Sequence, residues 1–192
     1  MPGIRKIAVF CGSSFGTEEE YRENAIKLGK EMADRSIALV YGGGARGLMG
    51  VIAETVHENG GYVIGFLPEA MDRPSVRQKK VEDELIIVPG MHERKKRMYD
   101  EADAFIAMPG GIGTIEEISE IYTWRQLGYH SKNIGLLNTL GYWDPFLRML
   151  DEGTEKGFIS REVRNVLISE DTPGILIDRL ERERFTLPEK LG

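Results

Sequence analysis

The sequence predicts an α/β fold, in which a largely parallel sheet of about seven strands carries helices on both faces. Short apolar segments alternate with amphipathic segments along the chain, as in proteins built from βαβ units. The apolar segments are nearly continuous, which is typical of strands that helices cover on both sides. This order favours one Rossmann-like domain over residues 1–192, in which the polar tail 181–192 is prone to fraying.

Six segments are predicted as strands, and a weaker seventh follows them. They are KIAVFC at 6–11, IALVY at 37–41, YVIGF at 62–66, LIIV at 85–88, AFIAM at 104–108, IGLLN at 134–138 and NVLI at 165–168. Two helix starts carry signals of their own. Thr17 and Glu20 match a capping box for a helix that ends near Arg35. Asp144 is predicted as an N-cap, with Pro145 at the first helical position.

Composition and charge exclude several classes of protein. A net charge of −6 argues against a general binder of nucleic acid or acidic membranes, because such proteins present basic surfaces. No apolar run approaches the roughly 20 residues that cross a bilayer, and the N-terminus lacks a signal-peptide pattern. The single cysteine, Cys11, cannot form an intramolecular disulfide and fits a reducing compartment. We therefore expect a cytoplasmic protein.

Glycine-rich loops follow several predicted strands, where open parallel sheets bind their ligands. The segment VYGGGARGLMG at 40–50 contains the pattern G-x-G-x-x-G, so Gly42, Gly43 and Gly44 are candidates for phosphate binding. A tight turn that only packs a helix against a strand would use the same residues. The loop CGSS at 11–14 is equally open between ligand binding and an ordinary turn.

A second glycine corner, PGGIGTIEE at 109–117, places two carboxylates beside a candidate phosphate site. Thr114 is predicted as the N-cap of the helix that follows. Glu117 then has two interpretations. It completes a capping box with Thr114, or it takes part in chemistry next to a bound phosphate.

The segment MHERKKRMYDEAD at 91–103 precedes the strand that leads into this corner. As a helix it has an apolar stripe made of Met91, Met98 and Ala102. Arg94 and Lys95 flank the stripe, whereas Lys96 and Arg97 point away from it. The two flanking cations either extend into water or face the phosphate cleft, and the pattern leaves both arrangements open.

Four segments together resemble the Lonely Guy family of cytokinin riboside 5′-monophosphate phosphoribohydrolases. They are GGGARGLMG at 42–50, MHERK at 91–95, PGGIGTIEE at 109–117 and YTWRQLGYHSKNIGLLN at 122–138. The resemblance extends from the first strand to about Phe158. It implies a hydrolase that cleaves the N-glycosidic bond of an N6-substituted AMP, giving the free base and ribose 5-phosphate.

The resemblance places the family's catalytic pair on Arg94 and Glu117. The substrate-binding positions that it implies are Glu69, Lys95, Gly110, Gly111, Ile112, Gly113, Thr114, Glu116 and Thr123. Glu69 depends on how the loop 69–83 is aligned, since that loop is longer than in plant members. Glycosidic cleavage passes through a cationic sugar. We therefore expect Glu117 to stabilise that cation and to orient or deprotonate water, while Arg94 keeps Glu117 ionised.

The resemblance also implies a nucleoside 5′-monophosphate as substrate and a homodimer as the assembly. The helical segment EEISEIYTWRQLGYH at 116–130 is a candidate interface. The leaving base needs an apolar pocket, for which Met98, Tyr122 and Trp124 are candidates. Such residues at helical spacing usually belong to the core instead.

Other functions are compatible with the sequence. The nearest is a salvage nucleosidase that acts on AMP or other nucleoside monophosphates, and another is a non-catalytic nucleotide sensor. NAD-dependent redox chemistry is motivated only by the G-x-G-x-x-G pattern. Lysine decarboxylation is the weakest alternative. It uses pyridoxal phosphate, and the sequence shows no persuasive lysine for the Schiff base together with an acid for the pyridine nitrogen. The three histidines are scattered, so we expect no metal, and we expect no other cofactor.

Overall fold

The computed structural model describes residues 3–73, 76 and 81–187. Seven strands form one sheet in the order β4-β3-β2-β1-β5-β6-β7, and neighbouring strands are parallel. The strands are β1 (Lys6–Phe10), β2 (Ala38–Tyr41), β3 (Val63–Pro68), β4 (Glu84–Val88), β5 (Ala104–Ala107), β6 (Asn133–Leu137) and β7 (Leu167–Glu170). The predicted parallel sheet is confirmed.

Helices connect the strands and cover both faces of the sheet. The helices are α1 (Glu19–Asp34), α2 (Gly47–Glu58), α3 (Met91–Glu101), α4 (Ile112–Gln126), α5 (Asp144–Glu155), α6 (Arg161–Asn165) and α7 (Pro173–Arg182), with 3-10 turns at Glu69–Met71 and Thr139–Gly141. Helices α1, α2 and α7 pack on one face, and α3 to α6 pack on the other. Within the described ranges, no helix combines the length and the apolar character that a membrane span requires.

Strand side chains alternate between the two apolar layers. In β1, Ile7 and Val9 face the layer of α1, α2 and α7, whereas Ala8 and Phe10 face the layer of α3 to α6. All four side chains are buried. Burial on both faces explains why the sequence is continuously apolar from Ile7 to Phe10.

The chain changes direction in the sheet at β1. It proceeds from β1 outward to β4, and then returns to the other side of β1 as β5. The loops that follow β1 and β5 therefore diverge and open a crevice at the carboxyl edge. The Gly12 N–H donates to the Pro109 carbonyl oxygen at 3.0 Å, which ties the two loops together.

The predicted helix caps are wrong. Helix α1 begins after Glu18, and the Thr17 hydroxyl donates to the Glu18 carboxylate instead of forming a capping box. Helix α4 begins at Ile112 with Gly111 as its N-cap, so Thr114 lies inside the helix. Gly111 has an extended backbone, with φ −85° and ψ −160°, and the helix begins directly after it. Helix α5 begins at Asp144 with Trp143 as its N-cap, one residue earlier than predicted.

The candidates for a base pocket belong to the core. Met98 is fully buried, and the Tyr122 hydroxyl donates to the Val163 carbonyl oxygen at 3.0 Å. Trp124 packs edge-on against Tyr99. By contrast, Met91 is 45% exposed, so the apolar stripe of α3 does not begin at that residue.

Candidate active site

Arg94 and Glu117 form an ion pair at the centre of the site. Arg94 lies near the start of α3, Glu117 lies in the second turn of α4, and Nη2 of Arg94 donates to Oε1 of Glu117 at 3.2 Å. Only 11% and 12% of the two side chains are exposed. Glu117 therefore pairs with a neighbouring helix, and the capping-box interpretation of this residue is wrong.

Gly42, at the end of β2, makes room for this pair. A Cβ atom on Gly42 would lie 2.1 Å from Nη2 of Arg94. The other terminal nitrogen of Arg94, Nη1, donates to the Met91 sulfur at 3.2 Å. Its Nε is buried and has no hydrogen-bond partner among the described residues. The absence of a side chain at Gly42 thus leaves the space that the guanidinium of Arg94 occupies.

The first glycine-rich corner is packed against the loop that follows β1. The N–H groups of Leu48 and Met49, at the start of α2, donate to the Gly12 carbonyl oxygen at 3.0 and 3.4 Å. Gly47 has a φ of +61°, and a Cβ atom there would lie 2.3 Å from the backbone of Ser13. This close packing favours the turn interpretation for Gly42, Gly43 and Gly44.

The start of α4, by contrast, is open. Gly111, Ile112 and Gly113 are exposed, and a Cβ atom on either glycine would meet no atom within 4 Å. The first N–H groups of a helix lack intrahelical acceptors, and the helix dipole adds a partial positive charge. This helix end is therefore suited to binding an anion.

Gly110 is held in place from two sides. The Tyr142 hydroxyl donates to the Gly110 carbonyl oxygen. On the other side lies the buried Thr114, whose hydroxyl oxygen would be 2.2 Å from a Cβ atom on Gly110. Sequence analysis missed Tyr142, because a single aromatic residue after a strand belongs to no phosphate-binding pattern.

A cavity of about 210 Å³ lies between the β1 loop and the second glycine corner. Its lining includes Gly110, Gly111 and the rings of Tyr21 and Tyr142, which meet edge to face with centroids 6.0 Å apart. Arg94 and Glu117 do not line it. A ligand that used this cavity and the ion pair would therefore pass over the Gly110–Gly111 turn.

The charge on Glu117 is set by opposing effects. Burial raises the pKa of the Glu117 carboxyl, Arg94 and Lys95 lower it, and the net pKa lies above the ordinary value. The neighbouring carboxylates of Glu116 and Glu120 also raise it. Arg94 thus acts in the predicted direction, but desolvation outweighs it. A carboxyl group with a raised pKa is suited to accepting a proton from water.

Lys95 is already paired with carboxylates of α4. Its ammonium group contacts Glu116 and also Glu120, the latter at 2.9 Å. Burial lowers the pKa of Lys95, but hydrogen bonds to the two carboxylates raise it above the ordinary value on balance. The Tyr99 hydroxyl donates to Glu120 at 2.8 Å. These contacts fasten α3 to α4 beside the ion pair.

Two other predicted substrate contacts lie outside this centre. Thr123 is exposed on α4, and its hydroxyl donates to the Ser119 carbonyl oxygen at 2.8 Å. Glu69 is exposed in the 3-10 turn after β3. Their roles stay predictions.

The chain is similar to proteins of known activity. A family model described as "possible lysine decarboxylase" matches residues 49–180. The chain is 48% identical over 178 residues to the cytokinin riboside 5′-monophosphate phosphoribohydrolase LOG of Oryza sativa subsp. japonica, covering 93% of this chain and 73% of the relative. It is 45% identical over 178 residues to the cytokinin riboside 5′-monophosphate phosphoribohydrolase LOG3 of Arabidopsis thaliana, covering 93% and 82%.

Solved structures share the fold at lower sequence identity. The molybdenum cofactor carrier protein of Chlamydomonas reinhardtii has a TM-score of 0.69 and 21% identity, covering 92% of this chain and 96% of that one. The molybdenum cofactor binding protein of Rippkaea orientalis has a TM-score of 0.67 and 21% identity, covering 90% and 93%. At this identity the likeness shows the fold alone.

Proposed function

Because the chain belongs to the family of cytokinin riboside 5′-monophosphate phosphoribohydrolases, we propose that it hydrolyses the N-glycosidic bond of N6-substituted adenosine 5′-monophosphates. The products are the free base, which is the active cytokinin, and ribose 5-phosphate. The observation that carries the proposal is the buried pair of Arg94 on α3 and Glu117 on α4, next to the open start of α4, which is suited to binding an anion. A phosphorylated sugar that becomes cationic requires an anion site for its phosphate and a carboxylate next to the sugar.

The open start of α4 binds the 5′-phosphate through the backbone N–H groups of Gly111, Ile112 and Gly113. Binding there orients the ribose so that its C1′ atom faces Glu117. As the bond from C1′ to the base nitrogen breaks, its electron pair leaves with the base and positive charge develops on the sugar. The Glu117 carboxylate stabilises this charge.

Glu117 also acts on the attacking water. The water oxygen bonds to C1′, and Glu117 accepts a proton from it. The leaving base takes up a proton, so one water molecule is divided between the two products. Arg94 orients Glu117 through Nη2.

The remaining predicted contacts have different roles in this proposal. Lys95 and Glu116 bind each other, and they position α3 against α4. Thr114 supports the Gly110 turn by packing against it. Glu69 and Thr123 are candidate contacts to more distant parts of the substrate, and Gly42 makes room for Arg94.

The test is incubation of the purified protein with isopentenyladenosine monophosphate and, separately, with AMP, followed by chromatography. The proposal predicts ribose 5-phosphate together with isopentenyladenine, released faster than adenine. Faster release of adenine would favour a salvage nucleosidase, which would use the same catalytic residues. Nucleotide binding without release of either base would favour a sensor, and release of CO2 from lysine with pyridoxal phosphate would favour a decarboxylase.

We also propose that the protein is a cytoplasmic homodimer. Met91, Ile112 and Ile115 are exposed apolar residues near the starts of α3 and α4, where a second copy would cover them. The single cysteine fits a reducing compartment. Light scattering should give twice the chain mass of 21.6 kDa, and a monomer at that mass would contradict the dimer.

A further inference from the structure

A second cavity, of about 600 Å³, lies at the opposite edge of the sheet from the candidate active site. Its walls include Ile4 and Arg5, which precede β1, and Asn133, which begins β6. The candidate active site instead uses loops that follow β1 and β5. Five-residue strands, at about 3.3 Å per residue, separate the two edges by roughly 15 Å.

The walls of this cavity carry more positive than negative charge. The lining cations are Arg5, Arg125, Lys132 and Arg184, and the lining acids are Asp103 and Glu181. This excess has the opposite sign to the net charge of the chain, which is −6. A concave surface with an excess of one charge attracts ligands of the other.

Three of these cations contact backbone carbonyl groups. Nη2 of Arg125 donates to the Phe185 carbonyl oxygen at 3.1 Å, and Nη1 of Arg184 donates to that of Glu181 at 2.7 Å. Nζ of Lys132 donates to the Tyr99 carbonyl oxygen at 2.6 Å. Within residues 3–73, 76 and 81–187, no carboxylate oxygen lies within 4.0 Å of these three cationic groups. Among the described residues, these three cations therefore have no direct contact with an acid that would neutralise their charge.

Arg125 is the most deeply placed of them. It is 4% exposed, and burial lowers the pKa of its guanidinium without an opposing effect from a nearby acid. Burial also lowers the pKa of Lys132, although acidic residues around it act in the other direction. A buried guanidinium without an anion is costly, because desolvation is not repaid by an ion pair. A bound anion would supply the missing charge.

We propose that this cavity binds a small phosphorylated metabolite, whose phosphate lies between the guanidinium groups of Arg125 and Arg184. The planar fork of a guanidinium matches the oxygens of a phosphate. Ile4, Leu180 and Phe185 provide an apolar wall for the carbon skeleton of the ligand. The volume lies within the roughly 300–1,000 Å³ of ordinary ligand pockets. The proposal is independent of the hydrolase activity, since it uses none of the active-site residues.

Inorganic pyrophosphate is the probe for a first test. Titration into ¹⁵N-labelled protein should move the amide signals of Ser131 and Asn133, which line the cavity. Signals of Gly111 and Gly113 report separately on binding at the active site. Arg125→Met should weaken the binding that moves the cavity signals by roughly tenfold or more, as expected when a charged phosphate contact is lost.

Two further variants keep the test decisive if Arg125→Met folds poorly. The double variant Arg5→Gln/Arg184→Gln removes two exposed cations, leaves Arg125 in place, and should also weaken binding roughly tenfold. Arg22→Met removes one charge from an exposed position on α1, where 49% of the side chain is accessible, and should leave the affinity unchanged. The proposal would be overturned if the double variant bound pyrophosphate with unchanged affinity. It would also be overturned if pyrophosphate moved only the amide signals of Gly111 and Gly113.

Discussion

Gly42 and Arg94 are fitted against each other, since a Cβ atom on Gly42 would lie 2.1 Å from Nη2 and 2.7 Å from Cζ of Arg94. The contact joins the loop after β2 to helix α3. In this position the guanidinium of Arg94 donates from Nη2 to the carboxylate of Glu117. A glycine that matches a phosphate-binding pattern thus makes room for the proposed catalytic pair, because it has no side chain.

Replacing Gly42 with alanine should reduce catalysis more than stability. The methyl group displaces the end of a flexible side chain, so the protein should fold while Arg94 shifts away from Glu117. We expect kcat to fall by about tenfold to a hundredfold, as small displacements of reacting groups do in other enzymes. Gly90→Ala is the control, because a Cβ atom there meets no atom within 4 Å. Equal kcat values for the two variants would contradict the role of Gly42.

The pH dependence of hydrolysis should report the ionisation of Glu117. Because burial raises the pKa of Glu117, its carboxylate is lost at a higher pH than in an ordinary glutamate, and activity should fall as the pH drops through that value. Arg94 opposes the rise, so Arg94→Met should shift the acidic limb of the profile further upward while lowering the rate. Profiles of kcat against pH for both proteins test this. A limb that stays in place or moves downward would argue against the coupling.

Lys95 should contribute to stability through its two carboxylate partners. Lys95→Met leaves Glu116 and Glu120 without their shared cation, and we expect a loss of roughly 1–3 kcal/mol in the free energy of unfolding. Lys96→Met is matched to it, since Lys96 is the next residue and 60% of its side chain is exposed. Urea titrations of both variants measure the difference. If Lys95→Met and Lys96→Met lose equal stability, the contacts of Lys95 with Glu116 and Glu120 do not contribute more than an exposed ion pair.

Tyr142 should affect binding of the substrate through the Gly110 carbonyl. Tyr142→Phe removes the hydroxyl that donates to this oxygen, so the turn before the proposed phosphate-binding start of α4 should become less rigid. A lost hydrogen bond of about 1 kcal/mol corresponds to a rise in KM of roughly fivefold. Tyr129→Phe removes an exposed hydroxyl and serves as the control. An unchanged KM in Tyr142→Phe would show that the turn does not depend on this contact.

The central strands could be predicted closely because burial on both faces leaves a continuous apolar signal, whereas the edge strand β7 lies two residues later than predicted. Ile7 to Phe10 and Ala104 to Ala107 are examples in which every side chain is buried. Helix caps were less predictable. Thr114 has the residue type of an N-cap, but α4 begins three residues earlier, with Gly111 as its N-cap, and side-chain preference alone does not fix where a helix begins.

The candidate site was predictable only as far as its motifs extend. Arg94 and Glu117 stand out in sequence, but their ion pair depends on how α3 and α4 pack over the sheet. The pairing of Lys95 with α4 and the contact of Tyr142 with Gly110 join residues far apart in the chain. Neither has a periodic or spacing signal. The direction of the Glu117 pKa shift likewise depends on how deeply this residue is buried, and burial cannot be determined from a single sequence.

The most direct test of the account is the hydrolysis of isopentenyladenosine monophosphate by Glu117→Gln. Chromatography should show a rate of isopentenyladenine release about 10²- to 10⁴-fold below that of the unmodified protein, because general-base assistance is lost. Nucleotide binding should persist, since the start of α4 is unchanged. The control Glu152→Gln, at a position 66% exposed on α5, should keep the full rate. Full activity in a correctly folded Glu117→Gln protein would contradict the assignment of Glu117 as the catalytic carboxylate.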